Sequence, residues 1–261
     1  MNIISVDRNN IDKEHICCAI SDKKGETCVS SKKVWMKSQF ENGLVFKRLD
    51  ARGKAFIEYI PAENAWCPIE AEGYIFINCF WVSGQFKGQG YANKLLEECT
   101  ADAKAQNKKG LVILSSTKKM PFLSDPKYLK YKGFKVCDTA KPYYELLYLP
   151  FNGDAKEPKF KDCCKHASVN EKGMVLYYTN QCPHTDKYAP LIAEIAKSKG
   201  QSIKLIKMES KEQAQNAPAP FTTYSFFYDG MFVTNEIFSE SKFLKFLTTT
   251  IKSGKISGDF V

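Results

Sequence analysis

The stretch Val82-Ser83-Gly84-Gln85-Phe86-Lys87-Gly88-Gln89-Gly90-Tyr91-Ala92-Asn93-Lys94-Leu95-Leu96 carries the clearest chemical signal in the chain. A hydrophobic strand pattern runs into a glycine-rich loop, and an amphipathic helix pattern starts directly after it. Backbone N–H groups at a helix N-terminus have no intrahelical acceptor, and the helix dipole adds partial positive charge there. Glycine lets that backbone approach a phosphate closely. The chemistry is anion binding, with a pyrophosphate as the expected ligand; a turn that uses glycine only for tightness is the alternative. The pattern is neither a P-loop nor a G-x-G-x-x-G dinucleotide fingerprint.

A second candidate is Cys182, in Thr179-Asn180-Gln181-Cys182-Pro183-His184-Thr185, between a strand pattern and a helix pattern. A helix N-terminus favours a thiolate, so a thiol of lowered pKa is expected. His184 either tunes that thiol or faces solvent. The chain has 10 cysteines but no C-x-x-C pair, so the commonest zinc half-site is missing and no metal site is expected. Cys163-Cys164 reads either as a metal-binding or reactive pair or, preferred, as a pair of exposed bystanders.

The elements that position these residues fall into two groups. Residues 56–60 (FIEYI) and 73–82 (GYIFINCFWV) read as strands. Ala92, Leu95, Leu96, Cys99 and Ala103 form one buried face of a helix between Gly90 and Asn107. Leu111–Leu114 and Tyr143–Leu149 are further strands. Residues 150–171 show no periodicity, two prolines and many charges, which predicts a linker over 151–172 between a domain at 1–150 and another at 173–261. In the second group, strands are expected at Met174–Thr179, Ser202–Met208, Tyr224–Tyr228 and Met231–Asn235, with Asp229-Gly230 as a hairpin turn. Helices are expected at Pro183–Lys199 and Glu240–Ile251. The fold class is α/β (α+β).

Lys87-Gly88-Gln89-Gly90-Tyr91-Ala92 resembles the acetyl-CoA loop of the GNAT family of N-acetyltransferases, [RQ]-x-x-G-x-[GA], with Lys87 in the first slot. Gln85-Phe86-Lys87-Gly88-Gln89-Gly90 fits in a second register; the place of Val82 favours the first. A buried strand (Leu111–Leu114) and a helix ending in Gly133-Phe134 follow, as in that family, so the resemblance covers about residues 40–150. It implies a mixed, splayed central sheet and acetyl-CoA as cosubstrate. The pantetheine arm would pair with Phe80, Trp81 and Val82, and the pyrophosphate would sit on the amides of Lys87, Gly88, Gln89, Gly90, Tyr91 and Ala92. The reaction implied is direct attack by a primary amine of a small molecule or peptide. The family's usual tyrosine acid falls on Leu129 here, so Tyr128, one residue away, is the candidate acid or else a packing residue. Glu70 and Glu72 are candidates for a base acting through water, with Glu72 preferred; both also read as solvated carboxylates.

The Cys182 turn resembles a thioredoxin-like active-site turn with Thr185 in place of the second cysteine, and Pro220 is the expected counterpart of the thioredoxin cis-proline. Gln181-Cys182-Pro183 and Pro220-Phe221-Thr222-Thr223-Tyr224, behind the GNAT-like half, resemble the YoaP-like proteins. That implies a GNAT domain followed by a smaller thioredoxin-like domain. A thiol-redox or thiol-binding protein centred on Cys182, and a CoA-binding sensor without transferase activity, are the alternatives.

Composition is consistent with this reading. The chain has 261 residues, 44% hydrophobic, with a net charge of +9. Only Arg8, Arg48 and Arg52 are arginines and no basic block reaches five residues, which argues against a nucleic-acid reader. A mild positive field suits an anionic nucleotide cofactor. No apolar run approaches the ~20 residues that span a bilayer. The opening residues lack a signal-peptide core, and many free thiols suit a reducing compartment. A cytoplasmic enzyme without a membrane or nucleic-acid partner is expected; the sequence leaves the oligomeric state open.

Overall fold

The computed structural model describes residues 1–251 except Cys17 and Asp154, and only the backbone of Ile251. The last ten residues of the expected 173–261 domain lie outside the described residues.

The architecture is mixed α/β, built on a seven-stranded mixed sheet in the order β1-β2-β3-β5-β6-β8-β7. Its strands are β1 (Ile3–Val6), β2 (Val45–Leu49), β3 (Ala55–Pro61), β5 (Tyr74–Val82), β6 (Gly110–Ser116), β7 (Lys135–Ala140) and β8 (Tyr144–Pro150). The short β4 (Ile69–Glu70) lies outside this sheet. Helix α2 (Tyr91–Ala105) covers one face of the sheet, burying Leu95, Leu96, Cys99 and Ala103 as their spacing predicts, while Ala92 of the expected face is only half-buried; α3 (Pro126–Tyr131) packs Leu129 into the same cluster. Helix α1 (Cys28–Phe40) covers the opposite face.

The predicted linker is not a free segment. It holds β9 (Lys159–Phe160), paired with β4, and a helical turn α4 (Asp162–Lys165). Phe160, Cys164 and Ala167 are buried in the first core, so the lack of periodicity marks an irregular but packed path. Cys164 is therefore no exposed bystander; Cys163 is exposed.

The remaining chain forms β10 (Met174–Tyr178), α5 (Pro183–Ser198), β11 (Ile203–Lys207), α6 (Lys211–Gln215), β12 (Tyr224–Tyr228), β13 (Met231–Thr234) and α7 (Glu240–Phe246). Its four strands run in the order β11-β10-β12-β13, with β10–β11 parallel and the other pairs antiparallel. The peptide bond before Pro220 is trans, against expectation; the one cis bond among the described residues precedes Pro142. Val175, Met208 and Phe227 of this unit share one apolar cluster with Trp35, Trp66 and Phe76 of the first. Asp186 near the start of α5 accepts hydrogen bonds from Thr27 Oγ1 (3.2 Å) and Ser31 Oγ (2.8 Å), while Lys187 pairs with Glu26 at 2.7 Å.

Candidate functional site

Strands β5 and β6 pair in parallel from Tyr74↔Gly110 to Ile77↔Ile113, and no further. Against β3, β5 carries a bulge: Tyr59 faces Ile77 and Glu58 faces Cys79, which leaves Asn78 as the extra residue. A bulge reverses the alternation of side chains beyond it and bends the strand. Ile75 and Ile77 accordingly point to the α2 face, and past the bulge Phe80 and Val82 do. The bend separates β5 from β6, so the edge of β5 from Asn78 to Val82 that faces β6 has no strand partner.

This gap opens into a cavity of about 560 Å³ lined by Phe80, Trp81, Val82, Lys87, Ala92 and Tyr128, together with the segment 119–125. Gly88 and Gly90 take φ of +74° and +79°, the left-handed region that an L side chain occupies only at a cost. That turn aims the loop at the N-terminus of α2. The amides of Gly88, Gln89, Gly90, Tyr91 and Ala92 have no acceptor among the described residues. Lys87 N–H is bonded to Gly84 O (3.2 Å), so this residue contributes its exposed side chain rather than its amide. The Tyr91 ring packs against Phe86 and offers the site only its backbone.

Tyr128 reaches the cavity from α3. Its hydroxyl donates to Asn93 Oδ1 at 3.1 Å and its ring meets Phe80 edge-on at 5.8 Å. Burial pushes its pKa up to about 12, so the hydroxyl keeps its proton at neutral pH. Leu129, in the family's acid slot, is fully buried.

Glu72 is not brought to this site. It is exposed and precedes the other end of β5, where Lys109 Nζ bonds its carbonyl at 3.3 Å. At about 3.3 Å of rise per residue, that lies on the order of 20 Å from the gap. Glu70 sits at the same end, paired with Lys159 at 3.1 Å.

Cys182 occupies the N-cap of α5, but the expected thiolate does not follow. Burial, with Cys18 and Glu58 nearby, pushes its pKa up to about 12; desolvation of the charged form outweighs the helix terminus. Thr185 Oγ1 is bonded to Thr179 O (2.6 Å) and Cys182 O (2.7 Å), so it clamps the turn. Burial lowers the His184 pKa, which leaves a neutral ring that supplies no charge to activate a thiol. Because Cys182 ionises only as pH approaches 12, its alkylation by iodoacetamide at pH 8 is expected to run about 10³-fold slower than that of free cysteine. Peptide mass mapping over time measures this, and labelling at the free-thiol rate would restore the activated-thiol reading.

Sequence reasoning missed the groups on the α1 side of the bulge. Glu58 is the lone charge in FIEYI and Asn78 the lone amide in GYIFINCFWV, the only signals of them available. Glu58 Oε2 receives Lys32 Nζ at 2.7 Å, with the two side chains 2% and 3% exposed, and Glu58 Oε1 accepts from Asn78 Nδ2 at 3.1 Å. Removing one partner of a dry ion pair strands the other charge. Lys32→Met is therefore expected to lower the unfolding free energy by about 3–5 kcal/mol. Urea denaturation measures it, and a loss below about 1 kcal/mol would place the pair in water.

The family model described as YoaP-like matches residues 202–245. The "uncharacterized N-acetyltransferase YoaP" of Bacillus subtilis (strain 168) is 46% identical over 249 residues, which is 95% of this chain and 99% of that protein. Among solved structures, an acetyltransferase of the GNAT family from Staphylococcus aureus Mu50 aligns with a TM-score of 0.40 at 15% identity, over 58% of this chain and 99% of its own. A GNAT family acetyltransferase from Brucella melitensis in complex with acetyl-CoA aligns with a TM-score of 0.37 at 14% identity, over 60% and 91%.

Proposed function

Because this chain belongs to the YoaP-like family of N-acetyltransferases, we propose that it moves an acetyl group from acetyl-CoA to a primary amine by direct attack, in the gap between β5 and β6. The single observation that carries this reading is that the unpaired strand edge lines one cavity with Lys87 and Ala92, the two residues that bound the run of acceptor-free loop amides. Amides without acceptors at a helix N-terminus fit a pyrophosphate. An unpaired strand edge fits an arm that itself carries amides.

Acetyl-CoA supplies the thioester carbonyl that the amine attacks. Gly88, Gln89, Gly90, Tyr91 and Ala92 hold the diphosphate through their N–H groups, and Lys87 adds its charge. The edge of Phe80, Trp81 and Val82 receives the pantetheine amides, and an N–H of that edge polarises the carbonyl. The amine enters uncharged, its C–N bond forms as the C–S bond breaks, and Tyr128 gives its proton to the departing sulfur. Solvent takes the proton lost from nitrogen and returns one to Tyr128; Glu72 has no part in this. A thiol-redox role centred on Cys182 is not retained, because its thiol stays protonated.

Isothermal titration with acetyl-CoA, followed by CoA release with a panel of amines, tests the proposal. Saturable binding and amine-dependent release are expected. Absence of binding at millimolar acetyl-CoA would overturn it, and binding without turnover of any amine would leave a sensor.

A further inference from the structure

Residues 119–125, on the path from β6 to α3, line the cofactor cavity as an unbroken run. Phe122, Leu123 and Ser124 of this run, with Phe80 and Trp81, also line an open pocket between the two units. Phe122 therefore stands where the two spaces meet. We propose that the second unit completes the acetyl-CoA site, with Asn235 as a positioning residue that holds Phe122 in the cavity wall through a hydrogen bond to Pro121. This inference rests on the transferase reading above.

The backbone shows why the wall needs holding. Phe122 has φ +64°, and among the described residues it is the one aromatic in the left-handed region. A bulky side chain is unfavourable there, so an unsupported Phe122 would return to the extended or right-handed region. Residues kept in such a conformation persist only where their surroundings over-determine them, and they cluster at ligand clamps.

The first unit fixes the flanks of the wall. Ser116 Oγ donates to Lys118 O at 2.6 Å, Ser115 Oγ donates to Ser124 O at 2.7 Å, and Met120 and Leu123 pack on the first core. Among the described residues, no group of the first unit bonds the backbone of Pro121 or Phe122. The second unit supplies that middle. Asn235 follows β13 and is fully buried, its Nδ2 donates to Pro121 O at 2.9 Å, and Phe122 packs against the second unit's core. A carbonyl oxygen only accepts, so the Asn235 amide must turn its NH2 toward Pro121, and its Oδ1 then receives the Tyr143 hydroxyl. Losing this bond leaves buried polar groups unsatisfied on both sides. The wall then relaxes at Phe122, the strained residue, and the cofactor loses contacts there.

The test uses the full chain and isothermal titration with acetyl-CoA, a readout that needs no acceptor amine; a thermal melt checks folding. Asn235→Leu, similar in shape but without a donor, is expected to raise the acetyl-CoA Kd about tenfold. Tyr143→Phe keeps its ring and frees the amide to turn, for a rise of about threefold. Phe122→Gly is the second background, because glycine holds a left-handed turn unaided. There, either substitution is expected to change Kd by less than about twofold. Such non-additivity reports coupling through the turn, which a general loss of stability does not produce. If Asn235→Leu fails to fold, the same comparison with Tyr143→Phe decides. A folded Asn235→Leu variant with unchanged Kd, or equal losses in the two backgrounds, overturns the inference while cofactor binding stands. Absence of acetyl-CoA binding to the unaltered chain removes this inference and the transferase reading together.

Discussion

Replacing Gly90 by aspartate is expected to weaken acetyl-CoA binding by about 100-fold or more. Two effects act in the same direction. Gly90 sits at φ +79°, where most side chains cost about 1–2 kcal/mol and aspartate less, so the backbone adds a smaller strain to the loop. The new carboxylate also stands beside the expected diphosphate, and like charges in contact cost several kcal/mol. About 2.7 kcal/mol already corresponds to 100-fold. No atom lies within 4 Å of where a Cβ would be placed, so the substitution clashes with nothing and the fold is expected to survive. Calorimetry with acetyl-CoA measures the loss and a thermal melt checks folding. A Kd within threefold of the unaltered chain, in a folded variant, would move the phosphates away from this loop.

The second large effect concerns kcat. Tyr128→Phe keeps the ring that packs edge-on against Phe80 and removes only the hydroxyl bonded to Asn93. If that hydroxyl protonates the leaving sulfur, kcat is expected to fall by about 10²–10⁴-fold, with the acetyl-CoA Kd nearly unchanged. With its pKa pushed up to about 12, the hydroxyl stays protonated as pH rises through the neutral range and is lost only near pH 12. Its acid role therefore produces no alkaline decline between pH 7 and 10. Stopped-assay CoA release across that range checks both statements. A fall of less than threefold would assign the proton to another group, and an alkaline limb that Tyr128→Phe lacks would show that Tyr128 ionises below pH 10.

The legible parts of the chain are those where one rule governs a whole element. Helix α2 shows its buried face as Leu95, Leu96, Cys99 and Ala103, and it runs from Tyr91 to Ala105, inside the expected bounds of Gly90 and Asn107. Strands β5, β6 and β10 follow their apolar runs. Helix α1 was invisible because its inward face carries Lys32 and Gln39 beside Val29, Trp35 and Met36. Those polar groups are satisfied by Glu58 and by Trp66 Nε1, partners far along the chain, so no apolar period is left to read. Segment 151–172 escaped for the related reason that single residues, Phe160 and Cys164, anchor it without any repeat.

Cys182 shows the limit from the other side. Its position at a helix start is a local property and was read correctly, yet the local rule gave the wrong sign for its ionisation. The thiol packs against the core of its own unit with Cys18 and Glu58 of the first unit nearby, and desolvation depends on everything packed around a group rather than on its own helix.

By itself the amino-acid order determined the loop of Gly88 and Gly90, the helix it feeds and the tyrosine beside the buried Leu129, because backbone torsion and periodic burial are settled within a few residues. Only the tertiary structure decided where β5 leaves β6, that Glu72 stands at the far end of β5 from the gap, and that Gln181 and Phe221 line one pocket with Asn78. Those outcomes depend on strand register and on contacts between residues more than a hundred positions apart, which no local pattern encodes.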